Sequence, residues 1–343
     1  MYLVRWLLFR MMFASGVVKL TSGCPTWWGL TAMPTHYFSQ CIPTPLAWYA
    51  RQLPDWLHRL SVAATFVIEI PLTALFFAPT AGLRKFTFIQ QNFLMVVIML
   101  SGNYNFFNFL FMALTLGLAD DSWLNMRLLK QGSNLAVRAL KFLFHFVVAS
   151  SLLAAVVYAF NLKLSTGRQL AVESKVMFTE QQFDAFLAHA VPLSIIVGAF
   201  GLLYAVIISL VKCFKGDSGL RTMLNLFTVL LYTSVACSMF VTSLPSYTGQ
   251  LDRTTYDQLP RVVKDMDRAT ARFQLTASYG LFRRMTGVGG RPEIVLEGSD
   301  SPRGPWREYE FLYKPGRLDA APKFCLPHQP RLDWQMWFAA LGG

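Results

Sequence analysis

Residues 86–118 read FTFIQQNFLMVVIMLSGNYNFFNFLFMALTLGL, and how this run is divided decides on which side of a membrane every other loop lies. It is too long for one ordinary span of about 20 residues. Ser101-Gly102-Asn103 interrupts it near its middle. The pattern predicts two helices, roughly 86–101 and 104–118, joined by a tight turn. The run also carries Gln90, Gln91, Asn92, Asn103, Asn105 and Asn108. Amides need hydrogen-bond partners away from water, so these side chains are expected to face other helices rather than lipid.

The sequence on both sides of this hairpin has the same character. The chain has 343 residues, of which 54% are hydrophobic and 15% aromatic, more apolar surface than a water-soluble domain of this size buries. Further spans are read at residues 3–20, 60–79, 143–160, 192–211 and 223–244, which makes about seven in an all-α polytopic membrane bundle over residues 1–245. The net charge of +12 comes from basic residues spread over short loops. It therefore points to membrane topology, and no nucleic-acid partner is expected. Placing Arg84 and Lys85, then Arg127, Lys130, Arg138 and Lys141, then Lys212, Lys215 and Arg221 on the cytosolic side leaves residues 22–58, 161–191 and everything after 245 in the lumen. Reading 86–118 as a single span would invert the first of these assignments.

Two stretches depart from the bundle pattern. Residues 22–58 contain Pro25, Pro34, Pro43, Pro45 and Pro54, which forbid one continuous helix, together with Trp27, Trp28, Trp48, Tyr49 and Trp56, which suit a headgroup interface. This is a Trp- and Pro-rich interfacial loop made of short amphipathic pieces. Residues 246–272 read as an amphipathic linker. From 273 to 343 the pattern predicts the start of a β-rich lumenal C-terminal domain, with strands at 293–297 and 308–313 around the turn-forming Gly298-Ser299-Asp300-Ser301-Pro302. The aromatic end of the chain shows no obvious finish, so this domain reads as truncated. Met1 leads directly into an apolar segment without a basic flank, and no removable signal peptide is expected.

Isolated charges inside spans require partners. Arg10 in the first span and Glu69 in the second are each near mid-helix, and consecutive spans run antiparallel, so an intramembrane ion pair between Arg10 and Glu69 is expected. Pro71 lies two residues beyond Glu69. Cys24 and Cys41 bracket sixteen residues in a loop assigned to an oxidising compartment, which makes them the candidate disulfide. Cys213 and Cys237 are expected to remain reduced, and Cys325 to be a free thiol or to pair further downstream. The histidines at 36, 58, 145, 189 and 328 form no metal-binding spacing with the cysteines, so no metal and no cofactor are expected. His36 and Gln40, one helical turn apart, read as interfacial polar residues. Gly216-Asp217-Ser218-Gly219 has the wording of a serine-protease nucleophile region but sits in a short basic loop without a base or an acid, and reads as a turn. Gly287, Gly289 and Gly290 lack the strand-turn-helix setting of a phosphate cradle.

Three stretches carry a family resemblance. They are residues 24–49, CPTWWGLTAMPTHYFSQCIPTPLAWY, residues 277–297, ASYGLFRRMTGVGGRPEIVLE, and the later blocks YEFLYKPG (309–316) and PHQPRLDWQMWFAAL (327–341) with Trp306. Together they resemble the lipase maturation factors, with wording nearer to the second branch of that family. The resemblance implies an endoplasmic reticulum membrane protein, not an enzyme, that assists secreted lipases of the lipoprotein lipase type. Such a chaperone needs exposed apolar surface to hold an incompletely assembled client. Phe282, Trp306, Tyr309, Phe311, Trp334, Trp337 and Phe338 are the candidates for client contact. The multi-helix part also resembles, more weakly, the membrane region of vitamin K-dependent carboxylase. This keeps a membrane enzyme open as the alternative, alongside a structural membrane assembly factor.

Overall fold

The computed structural model describes residues 1–102, 104, 106–119, 134–166, 171–214, 219–325 and 330–342. Several residues used for the topology and motif readings above lie outside them: Asn103, Asn105, Arg127, Lys130, Lys215, Gly216, Asp217, Ser218 and His328.

The axis of the molecule is α1 (Tyr2–Thr21). It is buried from Leu8 to Leu20 without interruption, because its apolar residues cover the whole circumference and other helices surround it. Trp6, Phe9 and Phe13 stack at successive turns with ring centroids 5.6 and 5.3 Å apart, and Phe77, Phe240 and Tyr247 close around them. The indole of Trp6 donates to Ser243 Oγ at 3.0 Å, and the Tyr247 hydroxyl shares a hydrogen bond of 2.8 Å with Ser194 Oγ, so the polar tips of this aromatic core are satisfied.

The interfacial loop folds, as its prolines dictate, into short pieces: α2 (Pro25–Trp28), α3 (Ala32–Ser39) and α4 (Pro45–Arg51). Pro25 and Pro45 sit at the first helical positions, where a missing N–H costs nothing. The second apolar segment begins as α5 (Asp55–Glu69) and stops there, because Pro71 excludes further α-helix. The chain continues as a 3-10 turn over Pro71–Phe77. The break frees carbonyls that helix-internal donors no longer reach, and the Nε2 of buried Gln91 donates to Ile68 O at 2.9 Å.

Gln91 belongs to α6 (Ala81–Ser101), which ends before the extended Gly102. Then α7 (Phe107–Thr115) follows and tightens into 3-10 form over Leu116–Leu118. The 86–118 run is thus two helices. The amide face lies between them: Asn92 Nδ2 donates to Thr115 Oγ1 at 2.9 Å, and Asn108 is buried. Phe107–Leu118 rises only about 18 Å, less than the ~30 Å hydrocarbon core.

Three long helices complete the bundle: α8 (Leu135–Phe160), α9 (Glu180–Phe214) and α10 (Leu220–Leu251). With Asp55–Phe77 they are the four described helices long and apolar enough to cross a membrane. Phe142, Phe146, Phe200, Leu203, Phe227 and Leu231 point outward along the three and are more than half exposed. An apolar belt of that size is solvated by lipid. Between α8 and α9 lies a small antiparallel hairpin, β1 (Lys163–Ser165) with β2 (Ala171–Glu173).

The linker is more regular than expected. Helix α10 continues through Pro245 to Leu251, and Asp252 then caps α11 (Arg253–Gln258) by accepting from Thr254 N and Thr255 N. Pro260 separates that helix from the amphipathic α12 (Arg261–Thr270).

The expectation of a β-rich C-terminal domain is corrected. Among the described residues beyond 273, strand pairing is confined to β3 (Glu297–Gly298) with β4 (Arg307–Glu308), and the chain ends in α13 (Arg331–Leu341). Pro292, Pro302, Pro305, Pro315 and Pro322 remove ladder donors along this segment, and its backbone finds partners on α1 and the interfacial loop instead.

Candidate functional site: a buried ion pair beneath a C-terminal clasp

Lys19 and Glu69 form a salt bridge of 2.6 Å with side chains only 1% and 5% exposed. This corrects the expected Arg10–Glu69 pair. The crossing of α1 and α5 is set by Gly16, where a Cβ would lie 2.6 Å from Ile70 Cγ1 and 2.9 Å from Glu69 Cβ. Only glycine admits the second helix so closely. Gly16 is three residues from Lys19 and six from Arg10, so Glu69 meets the lysine. Arg10 donates instead to Ser243 O at 3.3 Å and lies 5.5 Å over the ring of Tyr279.

The Lys19 ammonium is fully committed. Besides Glu69 it donates to Ser15 O (3.1 Å) and Leu281 O (3.3 Å), and it faces the rings of Trp27 (5.4 Å) and Phe282 (5.7 Å). The Leu281 bond draws the carboxyl-terminal segment onto α1. Leu281 N donates to Ser15 Oγ at 3.4 Å, Ser22 Oγ donates to Arg283 O at 2.7 Å, and the indole of Trp27 donates to Phe282 O at 2.9 Å. Gly280 permits this approach, since a Cβ there would lie 3.1 Å from Val18 and 2.3 Å from Gln250 Nε2.

Ten residues on, Arg291 repeats the grip on the interfacial loop. Its guanidinium donates to Phe38 O (3.2 Å), Gln40 O and Cys41 O (2.9 Å), and pairs with Glu293. Glu293 lies 3.2 Å from the buried Lys314. Asp333 at the start of α13 accepts from Tyr313 N (2.8 Å) and Lys314 N (2.9 Å), and the indole of Trp337 donates to Ser39 O at 2.8 Å. A guanidinium spread over several carbonyls suits a chain reversal whose backbone has no ladder partner.

Two spaces flank this clasp. A cavity of about 190 Å³ lies against the ion pair, walled by Trp27, His36, Phe93, Val97 and Phe282. A groove of about 500 Å³ runs between the interfacial loop and the tail, with Trp48, Arg51, Arg291, Tyr309 and Phe311 among its walls. His36 accepts or donates at 3.2 Å with Tyr104 OH, and burial together with the Lys19 charge pushes its pKa down to about 4. Gln40 ties the same helix to α6 through Ser101 O at 2.8 Å.

The residues expected to contact a client divide into two groups. Phe282 lies between His36, Tyr104 and Lys19, facing inward, and Trp334 and Trp337 are half-buried against Cys41, Ile42 and Cys325. Packing has claimed those three. Trp306, Tyr309 and Phe338 are 57%, 59% and 47% exposed, and Phe311 is half-buried beside Lys314. The expected Cys24–Cys41 bridge is likewise corrected. Cys24 packs in the main core with its Sγ 3.2 Å from Thr26 Oγ1, whereas Cys41 packs in a separate cluster with Cys325. Folding the intervening residues into α2 and α3 directs the two thiols into different interiors. Sequence reasoning missed Arg291 and Asp333, since their partners are backbone atoms that carry no sequence signal. Lys19 stands near the end of the first span, and the sequence alone lacks the helix crossing that brings it to Glu69.

These features define a multi-pass membrane protein whose polar carboxyl-terminal segment is locked onto its first helix and interfacial loop. Residues 1–126 match the lipase maturation factor transmembrane domain and residues 275–343 the lipase maturation factor C-terminal domain. The chain is 46% identical to lipase maturation factor 2 of Gallus gallus and 43% identical to that of Homo sapiens, in each case over 99% of this chain. Identity to lipase maturation factor 1 of Mus musculus is 26% over 98% of the chain. The chain belongs to the lipase maturation factor family. It spans about half the length of the curated relatives it matches, 48% of the Gallus gallus protein and 49% of the human one. No solved structure matches it.

Proposed function

We propose that this chain acts in the endoplasmic reticulum membrane as a maturation factor that assists folding, assembly and export of secreted lipases of the lipoprotein lipase type. The observation that carries this reading is the similarity to relatives named lipase maturation factor 2 along 99% of the chain. The structure supplies a physical basis. The clasp holds the tail against the bundle, while Trp306, Tyr309 and Phe338 remain exposed, and the groove beside them offers a mixed aromatic and basic surface. Fixed apolar groups at a membrane surface bind exposed apolar patches of an unassembled client without first losing the entropy of ordering the binding site. In this reading everything after residue 245 is lumenal.

The test is deletion of the gene followed by measurement of secreted lipase activity against secreted lipase mass. Loss of a maturation factor lowers activity per unit of protein, and restoring the full chain recovers it. Unchanged specific activity in the deletion strain overturns the reading.

A further inference from the structure

The Cys41 and Cys325 thiols are separated by most of the chain, yet they share one small buried cluster. Cys41, Ile42 and Cys325 form its centre, and Tyr313, Trp334 and Trp337 wall it. Each cysteine is 7% exposed. The surroundings hold the two chain segments in a fixed relation. Arg291 binds Cys41 O and the carbonyls just before it, Trp337 binds Ser39 O, and Trp334 hydrogen-bonds the Cys41 thiol. Cys24, the nearer cysteine in sequence, is in another core.

We propose that Cys41 and Cys325 are a disulfide-forming pair that covalently closes the clasp between the interfacial loop and the tail. Noncovalent contacts bring the two segments together first and keep both cysteines in one cluster, which favours bridging because a disulfide tolerates little separation of its two Cα atoms. The chemistry is thiol–disulfide exchange with a small-molecule disulfide such as oxidised glutathione. One cysteine thiolate attacks a sulfur of the glutathione disulfide, making a mixed disulfide and releasing one glutathione thiolate. The second cysteine thiolate then attacks the protein-side sulfur and releases the other. Two protein thiols are oxidised, one glutathione disulfide is reduced to two thiols, and the two cysteine protons end on the released thiolates. Burial raises the Cys41 pKa to about 11, so exchange proceeds while the clasp is still opening and closing, and the completed bridge is shielded from solvent thiols.

Formation in the cell rests on the lumenal placement proposed above, because disulfides persist in oxidising compartments. The experiment separates the two. Full-length chain is isolated from cells lysed in N-ethylmaleimide, and a second sample of detergent-solubilised full chain is equilibrated with oxidised glutathione. Both are digested without reductant and mapped by mass spectrometry. The expected result is a peptide linking Cys41 to Cys325 in both samples, lost on Cys41→Ser or Cys325→Ser and retained on Cys24→Ser. A link that forms in the glutathione sample alone upholds the pairing and refutes the lumenal placement. Cys41 and Cys325 peptides that remain unlinked to each other after glutathione treatment, or a link between Cys41 and Cys24, overturn the pairing.

Discussion

Replacing Lys19 with Met removes the ammonium that neutralises Glu69 and leaves a carboxylate that is 5% exposed without its 2.6 Å partner. It also strips a donor from Ser15 O and Leu281 O. Breaking a buried pair from one side costs about 3–5 kcal/mol, because the stranded charge keeps its desolvation penalty. Glu69→Leu strands the ammonium in turn, and a similar loss of about 3–5 kcal/mol is expected. Combining Lys19→Met with Glu69→Leu leaves no charge and fills the space with apolar groups. That double variant is expected within about 2 kcal/mol of the parent, well short of the roughly 6–10 kcal/mol that additivity gives. The assay is denaturant unfolding of the full chain in detergent, run as a double-mutant cycle, with limited proteolysis across residues 279–291 as a second readout. Both single variants are expected to expose that segment, since Lys19 anchors Leu281 directly. Strictly additive losses, or a Lys19→Met protein as stable and as protected as the parent, would refute the argument.

The pKa of His36 is lowered to about 4 from 6.5, so the unfolded chain takes up the extra proton first. Stability should be complete above about pH 6.5 and decline as pH falls toward 4, by at most about 3 kcal/mol. Unfolding curves of the parent and His36→Gln across that window should converge at low pH. Gly16→Val should force α1 and α5 apart at the 2.6 Å contact with Ile70 and cost about 1–3 kcal/mol or more, read as a lower unfolding midpoint, whereas Gly289→Ala, where nothing lies within 4 Å, should cost less despite its positive φ. An Asn-X-Ser acceptor placed at Ser299 should be glycosylated. A stable but unmodified product would reverse the assigned orientation.

What the sequence showed and what it hid follow from the range of the interactions concerned. The division of residues 86–118, the short proline-started helices of the interfacial loop and the break after Glu69 are local, written in glycine, proline and apolar period. The amides of the hairpin announced partners without naming them, and Gln91 proved to serve the carbonyl freed by that break. Mid-span depth misled the pairing of Glu69, because a single glycine at position 16 set the helix crossing. The tail misled most. Its β-type composition at 293–297 and 308–313 yields only the short pairing of Glu297–Gly298 with Arg307–Glu308, and Val295, Leu296, Tyr309 and Leu312 stay exposed. Loop length suggested joining Cys24 to Cys41, whereas packing separated them.

The committed partners of α1 impose an order on biosynthesis. Lys19 is translated 50 residues before Glu69, and its contact with Leu281 O requires a further 212 residues; Arg10 waits 233 residues for Ser243 O. At ribosomal speeds of about 5–20 residues per second, those intervals are seconds to tens of seconds. Until each partner is made, Lys19 has Ser15 O but lacks its carboxylate, and Arg10 lacks the Ser243 carbonyl, a costly state in hydrocarbon. The helix that ends at the centre of the protein is therefore the one least able to settle in lipid alone. Its final seating has to follow the insertion of α5 and α10, so the core of this bundle is assembled late.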